Sequence, residues 1–210
     1  MTFYTPTLQD LICAHSKYLA NEPRDLFYKV ATELISLISY GCVTEITVPE
    51  AVATLLLTWN RRFFLKRKFR EEDLSKFENI YNSHKIHLDE FRQKSIESYW
   101  TDDFFLVKEI FDKFESILGA VGAAKSLHLL CPKFFPLWDN PIANGYKIYL
   151  GKMGTNVNGG KYCDFIEITK DQYKSIKSLN EVQSINLNIL KNILKVLDEF
   201  NYCKYTRKIL

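Results

Sequence analysis

Apolar and polar positions alternate at helical spacing nearly from end to end of this chain. "TLQDLICAHSKYLA" opens on Thr7 with Asp10 three residues on, an approximate capping box ahead of an apolar run. "PRDLFYKVATELISLISYG" places Pro23 in a first helical turn and Gly41 just past the last. Within it Leu26, Val30, Leu34 and Ile38 recur every four residues as one stripe expected to be buried. "PEAVATLLLTWNRRFFLKRKF" again opens on Pro and Glu. Its Ala51, Leu55 and Trp59 keep the four-residue spacing and predict a long central helix over about 49–65.

The charged stretch "REEDLSKFENIYNSHKIHLDEFRQKSIESYW" predicts one or two surface helices. "DDFFLVKEIFDKFESIL" is strongly amphipathic through Phe104, Val107, Ile110, Phe111, Phe114 and Leu118. A short glycine-containing turn, a helix over 122–131, a proline-rich stretch and a helix from Asn140 follow. "GKMGTNVNGGK" (151–161) reads as a mobile connection, and "INLNILKNILKVLDEF" as a last amphipathic helix. "CVTEITV" (42–48) alone looks like a strand, and one strand has no partner to pair with. No internal repeat and no linker-like segment interrupts the pattern. The fold class expected is all-α: one helical domain over 1–210, its pieces arranged as two lobes with segment 104–150 beside the cleft between them.

Composition narrows the picture without deciding it. At 210 residues the chain can bury a sizeable core, and 47% hydrophobic with 25% charged residues is ordinary for a soluble protein. The net charge of +3 is mild, and the pI of about 8.5 stays below the value of about 9 that marks many nucleic-acid-binding domains. The five cysteines (13, 42, 131, 163, 203) are widely spaced and odd in number. With no CxxC pair they suggest neither a zinc site nor a disulfide framework, and point to a reducing, intracellular compartment. No signal peptide and no run of about 18 apolar residues is visible. No metal or cofactor is called for, and a monomer is expected.

The residues that invite chemistry cluster in one region. "CPKFFPLWDNP" (131–141) sets a lone carboxylate, Asp139, among two phenylalanines, a tryptophan and three prolines. Together with what precedes it, the sequence "FESILGAVGAAKSLHLLCPKFFPLWDNPIANG" (114–145) reads as helix, glycine hairpin (Leu118, Gly119, Ala120, Val121, Gly122), helix, and an apolar-Pro-apolar segment ending in Asp. This resembles the helix-hairpin-helix DNA glycosylase superfamily, all-α two-lobed enzymes that flip damaged bases into a cleft. The family hairpin reads L-P-G-h-G; here Gly119 stands for the proline and Ala120 for the first glycine. The lysine of the bifunctional members falls at Ala124, with Lys125 one residue on, and Pro136-Leu137-Trp138-Asp139 is one residue longer than the family's P-h-D.

The resemblance implies that Asp139 is the essential carboxylate, that Lys125 is a candidate Schiff-base nucleophile, and that Gly119, Val121, Gly122 and Ala123 present backbone amides to a DNA phosphate. Free amides at a helix start do attract anions, and glycine lets the backbone approach closely. The same glycines also suit a plain helix C-cap. Asp139 just before "NPIANG" also suits a helix N-cap, and Lys125 also suits a solvated face. Apolar walls from Trp138, Phe134 and Phe135 would strengthen the field of the carboxylate. Trp59 and Asn60 could line a base pocket, or Trp59 could be core; His128 is more simply a half-buried hydrogen-bonding residue than a base or ligand. "RRFFLKRKFR" (61–70) carries six cations, among them Arg61, Arg62, Lys66 and Arg67, and reads either as a phosphate-contacting patch or as a solvated helix end. Three functions follow as expectations: a DNA glycosylase with or without lyase activity, a helix-hairpin-helix protein that binds nucleic acid without cutting it, and a nucleoside hydrolase on the same scaffold.

Overall fold

The structure is a computed structural model that describes residues 3–22, 25–178 and 192–210, apart from the side chains of Arg62, Lys177 and Ser178. Among the described residues there are nine α-helices and no strand: α1 (Leu8–Asn21), α2 (Leu26–Ser39), α3 (Val48–Trp59), α4 (Arg61–Arg67), α5 (Glu71–Gln93), α6 (Phe104–Leu130), α7 (Asn140–Gly145), α8 (Asn158–Ser178) and α9 (Ile193–Asn201). Pro23 and the residues from 185 to 191 of the last expected helix lie outside the described residues.

Local chemistry sets several boundaries. The capping box at α1 forms, with Thr7 Oγ1 accepting from Asp10 N–H and the Asp10 carboxylate accepting from Thr7 N–H. Thr47 and Glu50 make the same exchange at α3, with Pro49 in its first turn. Thr47 is thereby drawn into a cap, and "CVTEITV" forms no strand but a mostly exposed connection into α3. The stretch from 71 to 93 is one helix, α5.

Two sequence expectations about helices change. The stripe Leu26, Val30, Leu34, Ile38 is only half inside: Leu34 and Ile38 pack against the core partly buried, but Leu26 is 53% and Val30 49% exposed, and the fully buried residues of α2 are Tyr28, Ala31 and Ile35. The helix carries apolar residues on most of its sides, so spacing alone could not choose its inner face; the buried Tyr28 finds a hydrogen-bond partner there in His128. The long helix over 49–65 breaks at Asn60, whose backbone (φ −124°, ψ 35°) leaves the helical region between α3 and α4.

The longest helix is instead α6, and it is bent. Gly119 (φ 70°, ψ 163°) interrupts it, so the expected hairpin is a kink. A Cβ on Gly119 would meet the Phe63 ring at 2.7 Å, and its positive φ strains any other residue. Beyond the kink the helix is buried on nearly every side, from Gly122 to Leu130.

α6 runs through the core between α5 and α8. An aromatic layer fills the space around it: Phe111 stacks on Tyr162 (4.4 Å between centroids), Trp138 meets Tyr162 edge-on at 5.0 Å, and Phe91 stacks on Phe134 at 4.5 Å. The 151–161 segment is shorter as a loop than expected, because Asn158, Gly159 and Gly160 form the first turn of α8. Gly159 lets α8 approach α6: a Cβ there would lie 2.6 Å from Asp112 Oδ1 and 2.7 Å from the Lys108 carbonyl. The terminal regions close on each other, with α1 against α9. No helix among the described residues is long and apolar enough to cross a membrane.

Candidate active-site cleft

The proline-rich stretch is pinned into the core before it reaches Asp139. The Phe135 carbonyl accepts from His128 Nδ1 (2.7 Å), the Pro136 carbonyl from Tyr162 Oη (2.7 Å), and Trp138 Nε1 donates to the Ala120 carbonyl (3.1 Å). Phe134 and Phe135 are fully buried against Phe91. They anchor the segment from behind and, contrary to the expectation that they wall the pocket, do not line the cleft.

Asp139 then caps α7, its Oδ1 accepting from Ile142 N–H at 2.8 Å and its Oδ2 from Thr206 Oγ1 at 2.8 Å. The cap and the cleft are not exclusive, because the same half-buried carboxylate lines a cavity of about 500 Å³. Burial pushes its pKa above the usual carboxylate range, against the two hydrogen bonds and Lys125.

That cavity gathers residues from distant parts of the chain. Lys125 from α6, Trp59 and Asn60 from the α3–α4 break, Val121 beyond the kink, and Trp138 with Asp139 all line it. Lys125 is not on a solvated face: Nζ donates to the Trp59 carbonyl at 3.2 Å and lies 4.3 Å from the centre of the Trp59 ring. Burial lowers its pKa to about 8, with Asp198 and Asp139 opposing. At pH 7 roughly a tenth of such amines is neutral and nucleophilic.

The rest of the lining was not legible in the sequence. Lys195 of α9, 1% exposed, donates to Asp198 Oδ2 (2.8 Å) and to Tyr18 Oη (3.3 Å). Its ammonium lies 4.7 Å from the Tyr18 ring centre and 5.0 Å from that of Tyr28. Burial disfavours its charge, but Asp198 and the neighbouring Tyr18, Asp25 and Glu199 outweigh this and hold it protonated. Tyr18 Oη in turn donates to Asp25 Oδ1 at 2.7 Å. The only hint was the Lys195–Asp198 spacing on an amphipathic helix; Tyr18 is 177 residues away in sequence.

His128 sits behind this wall. Its Nδ1 must donate to a carbonyl, so Nε2 accepts, and Tyr28 Oη donates to it at 3.2 Å. Full burial lowers its pKa to about 4, which keeps it neutral. It does not line the cavity.

The expected phosphate contacts divide. Arg61 and Lys66 are exposed. Arg67 is half-buried and engaged, with its guanidinium 3.0 Å from Met153 Sδ, 3.3 Å from the Ser116 carbonyl and 3.9 Å from Asp73. The side chain of Arg62 is outside the described residues. Gly119, Gly122 and Ala123 are buried. A second cavity, of about 230 Å³, lies beside Gly119 and Val121, and its lining includes Glu115 but no lysine or arginine. No group of three or more metal-binding side chains occurs among the described residues.

No family model matches the chain, and it has no significant match among curated proteins or solved structures.

Proposed function

We propose that this protein is an N-glycosidase of the DNA glycosylase type, with Lys125 as nucleophile and Asp139 as the charge-stabilising carboxylate. The observation that carries the reading is their meeting in one aromatic-walled cavity, where burial brings the Lys125 amine to a pKa of about 8. A neutral Lys125 attacks C1′ of the sugar. The bond from C1′ to the base nitrogen breaks, and the base leaves with that electron pair and takes up a proton. Loss of a proton from the new C1′–N bond and opening of the sugar ring give a Schiff base. Asp139 stabilises the positive charge that develops on the sugar as the base departs. The half-buried ring of Trp59 is suited to a planar base and Asn60 to its hydrogen-bonding edge, while Trp138, 1% exposed, backs the wall.

In this reading the kink at Gly119 plays the part of the hairpin between two lobes, and Arg61 and Lys66 meet the phosphates of a DNA partner. Five free cysteines fit a reducing intracellular setting. Borohydride trapping on duplexes that carry damaged bases tests the proposal. The wild-type chain should form a covalent adduct and Lys125→Ala none; failure of the wild type to trap any substrate counts against the lyase step.

A second reading is favoured by the charge of the cavity. Four carboxylates line it (Glu22, Asp25, Asp139, Asp198) against two lysines (Lys125, Lys195). Such a lining suits a free nucleoside better than a polyanion. Base release from nucleosides but not from duplex DNA would select it.

A further inference from the structure

Asp139 reaches the large cavity with both carboxylate oxygens engaged, Oδ1 by Ile142 N–H and Oδ2 by Thr206 Oγ1, each at 2.8 Å. It can supply charge to a reaction, but each oxygen already holds a proton donor. A second half-buried carboxylate lines the same cavity: Asp198 of α9. Its Oδ2 accepts from Lys195 Nζ at 2.8 Å, while Oδ1 has no hydrogen bond among the described residues. The side chain keeps 13% of its surface accessible. Of the other carboxylates in the lining, Glu22 is out in solvent, and Asp25, 7% exposed, accepts from Tyr18 Oη.

Lys195 is a firm mount for Asp198. Its amine is 1% exposed, donates to Tyr18 Oη as well, and sits against the rings of Tyr18 and Tyr28. A buried ammonium so held is no nucleophile; what it does is fix which oxygen of Asp198 is presented. The charge of Asp198 reaches the other groups of the site. It heads the charges that favour protonated Lys125, ahead of Asp139, and it adds to what raises the Asp139 carboxyl. Lys125, Asp139 and Asp198 thus come from three distant helices to one neighbourhood, and Asp198 is the member with an oxygen to spare.

We propose that Asp198 is the proton shuttle of this cavity, taking a proton from the Lys125 nitrogen once it is bonded to C1′ and returning it to the ring oxygen of the sugar. The step rests on the N-glycosidase reading. When the base has left, the nitrogen on C1′ is cationic and carries two hydrogens. Asp198 Oδ1 takes one of these protons. The freed nitrogen electron pair then forms the second bond to C1′, and the bond from C1′ to the ring oxygen breaks. That oxygen takes the proton back from Asp198. The product is a protonated Schiff base, and Asp198 ends as the carboxylate it began as. Asp139 keeps its two hydrogen bonds throughout and contributes charge alone.

The same shuttle can be tested without a nucleoside. When an amine forms an imine with an aldehyde, its nitrogen loses protons and the oxygen that leaves as water gains them. The probe is glycolaldehyde with excess cyanoborohydride on the full chain at about pH 9, above the value of about 8 for Lys125, so that most of this amine is neutral. Mass spectrometry reads the adduct at Lys125, with the exposed Lys66 as internal control. Asp198→Ala should slow the Lys125 adduct by about 10²-fold and leave Lys66 unchanged, and sodium formate should restore at least ~10-fold of the loss. A merely structural role for Asp198 would give no rescue by formate. Removing Asp198 leaves the Lys195 charge buried and unpaired, so Lys195→Met with Asp198→Ala, which removes the pair, serves where the single variant does not fold and should show the same loss. An undiminished rate at Lys125, a loss that formate does not restore, or a wild type that takes no adduct at Lys125 overturns the proposal. A wild type that shows the Asp198-dependent adduct yet releases no base from any nucleoside or DNA overturns the N-glycosidase reading instead and leaves the shuttle standing.

Discussion

The amine of Lys125 lies 4.3 Å above the ring of Trp59 and donates to the backbone carbonyl of the same residue. One residue thus supplies both a face and an acceptor to a lysine whose pKa burial lowers to about 8. In the unfolded chain the same amine titrates near 10.4. Between these values the unfolded chain holds more protons, so stability rises with pH across that window, and below about pH 8 the whole penalty is present. Lys125→Met should therefore stabilise the protein at pH 7 by on the order of 1–3 kcal/mol, with the gain gone by about pH 10.5. Urea unfolding at the two pH values checks this. Reductive methylation of Lys125 in the wild type should rise through about pH 8 rather than through the ordinary lysine range.

His128 carries the opposite end of the pH scale. Its folded pKa of about 4 lies below the unfolded value of 6.5. From pH 6.5 down to about 4 the unfolded chain binds the extra proton, so stability falls with acid through that window and is unaffected by this group above it. The loss at pH 5 should be about 2 kcal/mol relative to pH 7. His128→Asn should flatten that acid slope in denaturant titrations, whatever its effect at neutral pH.

At Asp139, substitution separates the cap from the charge. Asn retains an oxygen for Ile142 N–H, and its removal of a buried charge offsets the altered bond to Thr206. Asp139→Asn should leave the melting temperature unchanged or slightly raised while cutting base release by about 10²–10³. Asp139→Ala should lose activity and roughly 1 kcal/mol of stability. Full base release by the Asn variant would mean that the carboxylate serves only as a cap.

The basic run should split into two kinds of residue. Arg67 holds α4 to the Ser116 carbonyl and to Met153, so Arg67→Ala should destabilise the fold by about 1 kcal/mol or more. Arg61 and Lys66 are exposed, and reversing their charge should leave the melting temperature unchanged. If these two contact phosphates, the double reversal should weaken DNA binding and make its salt slope shallower by about two. Binding that ignores salt counts against a nucleic-acid partner.

Much of the helical frame could be read from the sequence, and its failures have definite causes. Caps are local, so Thr7–Asp10 was visible without any tertiary knowledge. α6 was legible because one side of its first half is charged and the other is not. α2 was misread because both faces are apolar, and only its neighbours decide that Tyr28 rather than Leu26 goes inside. The break at Asn60 has no proline or glycine to announce it. Asp139 stood out by its neighbours, but Lys195, Asp198 and Tyr18 did not. Their meeting depends on α1 and α9, at opposite ends of the chain, packing together.

Asn60, Val121 and Asn140 face both the large cavity and the small one beside it. The two spaces therefore share a wall, and an occupant that fixes this wall on one side changes the work of binding on the other. Thermodynamic reciprocity then holds: whatever factor an occupant of the small space imposes on affinity in the large one, an occupant of the large space imposes on the small. The short break between α3 and α4, which turns Asn60 into that wall, is thus the place where such coupling would be strengthened or lost.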